Sequence, residues 1–351
     1  MITTNAAADR VGGSCLHSKM CTFTWRIKTF SVMSFTTSPS RWMVIVNPKA
    51  GKGYGLRDWP SISNKLNFSN VDFTCVFTEK KFHAVELTVK AINDGFRKII
   101  VVGGDGTVNE VVNGLFIQKK EDPKNITLAV IPVGTGNDWV RMLGIPRTYD
   151  DAVKSICAGR TIMQDVGTVS FEESLVRQTR YMANVAGIGF DAMVNRRFNR
   201  LKDNGRTSKW LYLTSTFTTL LRYRAISFKV YVDDKLFFNG RLFSGAIGVG
   251  KFNGGGMLQM PAAVMDDGLM DITLIRKMTL YRFLANFHRL YNGTIYNFYK
   301  VLATQGRKIT IESAPQSPIE IDGEACGYSR FDIGILPYNI KVVVGEKFVR
   351  A

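Results

Sequence analysis

The stretch that most constrains the fold is Ile99-Ile100-Val101-Val102-Gly103-Gly104-Asp105-Gly106-Thr107-Val108-Asn109-Glu110. Four apolar, mostly β-branched residues read as a buried strand, and the glycines behind them let the backbone turn hard and approach a ligand closely. A helix must then start. Thr107 and Glu110 have the Thr-x-x-Glu spacing of a capping box, and Val108, Val111, Val112 and Leu115 supply the apolar stripe. The unpaired amides of that helix aim at whatever sits above the glycines and favour an anion, most often phosphate. Asp105 places a carboxylate among those amides, which makes sense when a cation accompanies the phosphate, so a nucleotide phosphate with Mg2+ is expected here. A tight glycine turn with Asp105 as an ordinary turn residue accounts for one such cluster equally well.

A second cluster shifts that balance. Leu128-Ala129-Val130-Ile131-Pro132 reads as another buried strand, followed by Val133-Gly134-Thr135-Gly136-Asn137-Asp138-Trp139 and a short helix that stops at Leu143-Gly144-Ile145-Pro146. Asn137 or Asp138 is a natural N-cap, and Gly144 with Pro146 a natural end. Two strands of one parallel sheet then deliver two glycine turns to the same edge, where ligands of open α/β sheets bind. Upstream, Trp42 to Asn47 is a first strand ending in Asn47-Pro48-Lys49-Ala50-Gly51-Lys52-Gly53. This is not a P-loop, because the first glycine is missing and Gly53 stands where Ser or Thr should hold Mg2+. A helix to about Leu66, a strand Phe73 to Thr78 and a helix Ala84 to Asn93 complete an alternation that implies right-handed crossovers and a parallel sheet.

Beyond a short helix at Asp151 to Ala158, the segment Thr161 to Val169 leads into a strand-rich region: Tyr181 to Val185, Phe228 to Val232, Leu236 to Val249, Met270 to Ile275, Lys308 to Glu312 and Pro318 to Ile321. Repeated strands joined by short turns suggest an antiparallel sandwich. Helices are expected at about Asp191 to Leu201, Ser208 to Arg222 and Leu280 to Tyr291. The expected fold class is therefore α/β: an N-terminal parallel-sheet, Rossmann-like nucleotide domain and a larger antiparallel β-sandwich domain, with the active site in the cleft between them.

Composition narrows the partners. A chain of 351 residues, 45% apolar and 21% charged, has room for two globular domains. Its most apolar window, Trp210 to Leu221, is too short and too interrupted to span a bilayer. The net charge of +17 points to nucleic acid, an anionic membrane surface or a polyanionic substrate. Cys15, Cys21, Cys75, Cys157 and Cys326 are odd in number and show no C-x-x-C pairing, which fits reduced thiols in the cytoplasm. His17, His83 and His288 sit beside no triad-like motif, so histidine acid/base chemistry is not expected. Residues 1–40 have no clear period and no signal-peptide core, and are expected to be a disordered leader.

The two loops carry a family resemblance. G-G-D-G-T with N-E at Asn109-Glu110, then P-x-G-T-G-N-D, resembles the catalytic domain of the diacylglycerol kinase family, which includes bacterial soluble lipid kinases and the sphingosine and ceramide kinases. The likeness continues through Asn47-Pro48 with Gly51, through Gly254-Gly255-Gly256-Met257 with Pro261 and Ala263, through Asp267-Gly268-Leu269, and through Ile321-Asp322-Gly323-Glu324. It implies that the last residues return to the first domain, so that residues 41–165 and 331–351 form the ATP-binding domain and 166–330 the lipid-substrate domain.

Phosphoryl transfer needs a held γ-phosphate, a cation and an aligned, deprotonated acceptor. The expected nucleotide contacts are Asn47, Gly103, Gly104, Asp105, Gly106, Thr107, Gly134, Thr135 and Asn137, with Asp105 reaching Mg2+, which keeps much of its water. An alcohol acceptor needs a general base. Asp322 is the candidate; read alone, Asp322-Gly323 is more readily a hairpin turn, and the resemblance is what assigns Asp322 as base and Glu324 as a needed acid. Likewise the resemblance implies a structural Mg2+ held by Asp267 and main-chain oxygens near Met265 and Leu269. Arg196 to Lys202, with Arg206, Lys209, Arg222 and Arg224, concentrates positive charge beside Phe198, Trp210, Leu211 and Leu213, and is the expected peripheral contact with an anionic membrane. The implied function is ATP-dependent transfer to a lipid hydroxyl: diacylglycerol first, a sphingoid base or ceramide next. NAD kinases share G-G-D-G-T but lack the other pieces. A nucleic-acid-binding module accounts for the charge but not for the acidic turns, so nucleic acid is not an expected partner; a homodimer stays open.

Overall fold

The computed structural model describes residues 40–134, 136–173, 176–203, 218–220 and 223–350, with the backbone alone for 198–203. The expected leader, most of the expected helix Ser208 to Arg222, and Phe198, Arg206, Lys209, Trp210, Leu211, Leu213 and Arg222 of the expected membrane contact therefore lie outside what is described, wholly or in their side chains.

The first part alternates as the pattern requires: β1 (Trp42–Val46), α1 (Ala50–Arg57), α2 (Trp59–Phe68), β2 (Phe73–Phe77), α3 (His83–Asn93), β3 (Lys98–Gly103), α4 (Asp105–Ile117), β4 (Thr127–Pro132), α5 (Asp138–Met142) and α6 (Tyr149–Ala158). The strands run parallel in the order β2, β1, β3, β4. The order reverses between β1 and β3, and their carboxyl ends carry Asn47 and the Gly103 turn side by side. The single helix expected up to Leu66 is instead two, divided at Asp58 just ahead of Pro60, and within the first of them Gly51, Lys52 and Gly53 adopt φ of 59°, 68° and 94°. A Cβ on Gly51 would lie within 2.2 Å of the Val133 carbonyl oxygen, so the loop after β1 packs directly against the loop after β4. Ile45, Ile100, Val101 and Ile131 are fully buried in the core beneath these loops, each worth about 1.5–3 kcal/mol of burial.

The second part is β5 (Thr161–Glu173), β6 (Val176–Met182), β7 (Val185–Gly189), α7 (Phe190–Asp203), β8 (Ile226–Val232), β9 (Lys235–Gly248), β10 (Phe252–Asn253), β11 (Met257–Leu258), β12 (Met270–Arg276), α8 (Leu280–Asn286), β13 (Val301–Gly306), β14 (Lys308–Ala314), β15 (Pro318–Ile321) and β16 (Glu324–Val343). The strand expected from Tyr181 to Val185 breaks at Ala183-Asn184, and α8 ends early, continuing as a 3-10 turn over Phe287–Leu290.

The expected sandwich is a closed, barrel-like sheet. Antiparallel pairing runs β9, β7, β15, β16, β14, β8 and back to β9. Closure is possible because β9 and β16 are 14 and 20 residues long and pair on both sides, and because register shifts at Val230/Tyr231, Tyr328/Asp332 and Leu336/Ile340 let the strands bend. Alternate residues such as Ile309, Ile311, Ile319, Ile321, Phe331 and Ile333 fill a second buried core. At its far end β16 crosses to the first core: Lys341 and Val342 pair in parallel with β4, and Ile340, Val342 and Val343 bury there.

Candidate active site

The two glycine loops meet backbone to backbone. A Cβ on Gly134 would lie 2.6 Å from the Gly104 Cα, and one on Gly104 would lie 3.0 Å from the Gly134 Cα, so no side chain fits between them. The Gly103 carbonyl accepts from Val133 N at 2.9 Å and Gly134 N at 3.3 Å. Asn47 Nδ2 donates to Thr107 Oγ1 at 2.8 Å, tying in the loop after β1. Gly106 follows on the first turn of α4, and Thr135 lies outside the described residues.

The expected capping box is absent. Helix α4 starts at Asp105, three residues ahead of that reading, with an extended Gly104 at its cap and no side-chain bond there. Glu110 reaches instead to the neighbouring helix, accepting from Phe82 N at 3.0 Å and Ala84 N at 3.1 Å, and so caps α3. The uncapped start of α4 keeps its partial positive charge for an anion. At α5 the cap residue is Asn137, left-handed at φ 53° and without a capping bond. Its Nδ2 donates to the Gly134 carbonyl at 2.8 Å, and its Oδ1 is buried without a partner. Beside it opens a cavity of about 390 Å³ whose walls include Arg141, Arg147 and Lys347.

Two carboxylates flank the second loop. A Cβ on Gly136 would stand 3.0 Å from Asp105 Oδ2 and 3.8 Å from Asp138 Oδ2. Burial, then the charge of Asp138, pushes Asp105 up to about 6, while its Oδ1 accepts from Trp139 N at 3.3 Å. Asp138 is also raised, by burial; its Oδ2 accepts from Gly255 N at 2.7 Å, and its Oδ1 is buried without a partner. Paired acids with an unsatisfied oxygen are a donor set suited to a hard divalent cation. Sequence reasoning gave Asp138 a place in the G-T-G-N-D motif and a helix cap, but no part in holding a cation. The signal for more was its place in Gly-Thr-Gly-Asn-Asp, where Gly136 has both acids beside it.

Asp322 reaches these loops from the barrel. It sits with Gly323 in the β15 to β16 turn, at φ 48° and 90°, and is buried. The break between β6 and β7 is shaped to hold its carboxylate: Ala183 N donates to Oδ2 at 2.8 Å, and Asn184 N and Val185 N donate to Oδ1 at 3.0 Å. The fourth donor is Asn109 Nδ2 of α4, at 2.8 Å from Oδ2. Burial keeps the carboxyl above the usual carboxylate range, against these bonds, which pull it down. The negative charge of Asp322 is felt at Asp105. Glu324 also faces α4: a Cβ on Gly106 would lie 3.9 Å from its Oε1, and Lys81 Nζ pairs with its Oε2 at 2.5 Å. Behind the turn, Glu320 Oε1 accepts from Gly323 N at 2.7 Å; burial, then Asp191, pushes Glu320 up to about 8. Lys81 and Glu320 carried no motif, so nothing in the sequence marked them.

Met265, Asp267 and Leu269 share one turn. The Met265 carbonyl accepts from Asp165 N at 2.8 Å, and Asp267 Oδ1 accepts from Leu269 N at 2.9 Å. Asp165 braces the turn by accepting from Gly268 N at 2.7 Å and Tyr338 N at 2.6 Å. Asp266 pairs with Arg350 at 2.7 Å. Among the described residues no group of three or more His, Cys, Asp or Glu is arranged to hold a metal.

Residues 41–169 match the model of the diacylglycerol kinase catalytic domain, and residues 184–344 match that of the YegS C-terminal NAD kinase beta sandwich-like domain. By that match residues 41–169 are a diacylglycerol kinase catalytic domain, and the chain is similar to the kinases of that family across both of its parts. A diacylglycerol kinase of Staphylococcus carnosus is 28% identical over 298 residues, 81% of this chain and 88% of that protein. One from Mycobacterium tuberculosis H37Rv is 27% identical over 301 residues, 85% of this chain and 93% of that protein. A solved diacylglycerol kinase structure from Bacillus anthracis shares the fold at a TM-score of 0.65 and 22% identity, covering 88% of this chain and 98% of that one. The two matches fall on the parallel sheet and on the closed antiparallel one respectively.

Proposed function

We propose that the chain transfers the γ-phosphate of ATP to a lipid hydroxyl, with diacylglycerol the leading acceptor and a sphingoid base or ceramide the alternative. One observation carries the reading: Asp322, from the barrel turn, is bonded to Asn109 of the helix that starts at the first glycine loop. An acid from one lobe thereby faces a phosphate-type edge of the other.

In this reading residues 41–165 with the chain end bind the nucleotide and 166–330 present the lipid; of the expected 331–351, Phe331 and Ile333 stay in the barrel core and Ile340 and Val342 to Val344 join the first core. The glycine loops, with Asn47, Thr107, Thr135 and Asn137, hold the phosphates. Asp105 and Asp138 would hold Mg2+, largely through water, and the ion would offset phosphate charge. Asp322 takes the hydroxyl proton as the lipid oxygen bonds to the γ-phosphorus and the bond to the ADP oxygen breaks. Three of its four donors are main-chain amides fixed by the strand break, so the Asn109 amide is the one that can swing away to expose a lone pair. Glu324, oriented by Lys81, supports the acidic side of the cleft. The turn at Met265, Asp267 and Leu269 is proposed to take a second, structural Mg2+. In this reading the lipid is met by peripheral association with an anionic surface on the cytoplasmic side; among the described residues no helix is long and apolar enough to cross a membrane.

The test is incubation of purified protein with labelled ATP, Mg2+ and mixed micelles of diacylglycerol, sphingosine or ceramide. Label entering a lipid phosphate supports the reading. Label entering NAD and no lipid would move the chain to a different kinase class.

A further inference from the structure

Beyond the basic run at Arg196, a different surface carries the features of a lipid-docking face. From Arg276 to Lys300 there is no aspartate or glutamate, while Arg276, Lys277, Arg282, Arg289 and Lys300 are all cationic. Among the described residues no ion pair engages Lys277 or Arg282, and both side chains are exposed. Helix α8 turns one aromatic inward, Phe283, which packs on Phe190 and Phe243. Its other large apolar residues face out: Leu280 and Leu284 stand one turn apart with Tyr281 beside them, and Tyr281 and Leu284 are 81% and 57% exposed. The stripe continues through Phe287, whose ring meets Tyr291 at 5.6 Å. A run of exposed large apolar groups next to unpaired cations, with no acid among them, is what a soluble surface avoids.

The turn behind α8 meets the hairpin that touches the candidate active site: a Cβ on Gly293 would lie 3.8 Å from Leu258 Cδ1, and Gly255 of the same β10–β11 hairpin donates its N–H to Asp138 Oδ2 at 2.7 Å. The charge of Asp138, after burial, helps hold the Tyr291 hydroxyl above its ordinary range.

We infer that α8 and the turn behind it, through Tyr281, Leu284, Lys277 and Arg282, form the face that seats the protein on an anionic lipid bilayer, with the cleft at its edge. The occupant is a bilayer because aromatic and aliphatic groups set among cations match the boundary between acyl chains and anionic headgroups. This rests on the lipid-kinase reading for its purpose, though not for its geometry.

The test is co-sedimentation of the full chain with phosphatidylcholine vesicles, with and without phosphatidylglycerol, for wild type, Y281S/L284S and K277E/R282E. Each cation near an anionic surface contributes a roughly fivefold factor in affinity, so K277E/R282E should bind anionic vesicles at least about twentyfold more weakly. Y281S/L284S should lose binding that persists at high salt. Phosphorylation of a short-chain diacylglycerol kept below its micelle-forming concentration should be unchanged in both variants. Wild-type binding by both variants, or a shift of oligomeric state in sedimentation velocity on substitution, would overturn the assignment, the latter by making the face a contact between copies. If both variants lose vesicle binding as stated but wild type phosphorylates no lipid, the docking face stands and the kinase reading fails.

Discussion

The link between the two lobes can be weighed through Asn109. Its buried side-chain amide donates to Asp322 Oδ2 at 2.8 Å and to the Tyr181 carbonyl at 3.0 Å. Asn109→Ala removes both bonds and the 3.2 Å bond its Oδ1 accepts from Asn113 Nδ2, but Asn113 Nδ2 still donates to the Asn109 carbonyl at 2.8 Å and to the Tyr181 carbonyl at 2.9 Å, so neither is orphaned. The loss is therefore dominated by the bond to a buried carboxyl, worth about 1.5–3 kcal/mol. Urea unfolding should show that drop as a lower midpoint at an unchanged m-value. A double-mutant cycle isolates it: in an Asp322→Ala background the Asn109→Ala cost should shrink by about 1.5–3 kcal/mol. A coupling below about 0.5 kcal/mol would mean that the two residues act independently, and the bridge between the lobes would carry no energy. Transfer should also slow in Asn109→Ala, because the turn bearing Asp322 loses its tie to α4.

Three further perturbations test other parts. Gly134→Ala forces a methyl to 2.6 Å from the Gly104 Cα; it should cost about 1–3 kcal/mol of stability and weaken ATP binding in calorimetry, and wild-type behaviour would mean that the loops do not pack as described. Glu110→Ala should destabilise by about 0.5–2 kcal/mol and raise hydrogen exchange in the first turn of α3; exchange raised only in α4 would restore the capping box. Glu320 titrates at about 8 in the fold against an ordinary 4.5. Its raised value favours the protonated fold, so its share of stability is full below about 4.5 and lost as pH climbs through about 8. Glu320→Gln, which keeps an oxygen for Gly323 N, should flatten stability over that window, and an unchanged slope would show that Glu320 does not control it.

The parallel half was legible because its information is local. Ile99 to Val102, the glycines and the stripe from Val108 to Leu115 specify strand, turn and helix without reference to anything distant. The barrel half was legible as strands but not as a closed sheet. Closure depends on β8 meeting β14 and on β9 and β16 pairing on both sides, and period-2 alternation is the same in a sandwich and a barrel. Glu110 shows the same limit at one residue. Its spacing from Thr107 fits a box, yet the start of α3, where Phe82 is left-handed at φ 64° and makes no side-chain cap of its own, offers its amides to the same carboxylate. Asp322-Gly323 was readable as a turn, whereas the three amides that grip the carboxylate come from a strand break at Ala183-Asn184 that looked continuous in the sequence. Lys81 acquires meaning only through Glu324, far along the chain.

The central claim is that both glycine loops and Asp322 serve one triphosphate. A crystal structure of the full chain with Mg2+ and a non-hydrolysable ATP analogue tests it most directly. The account predicts the phosphates against the amides of Gly103 to Gly106 and Gly134 to Gly136, with the terminal phosphorus facing the Asp322 turn. A nucleotide bound at any other edge of the sheet, or a terminal phosphate with the Asp322 turn directed away from it, would contradict the account.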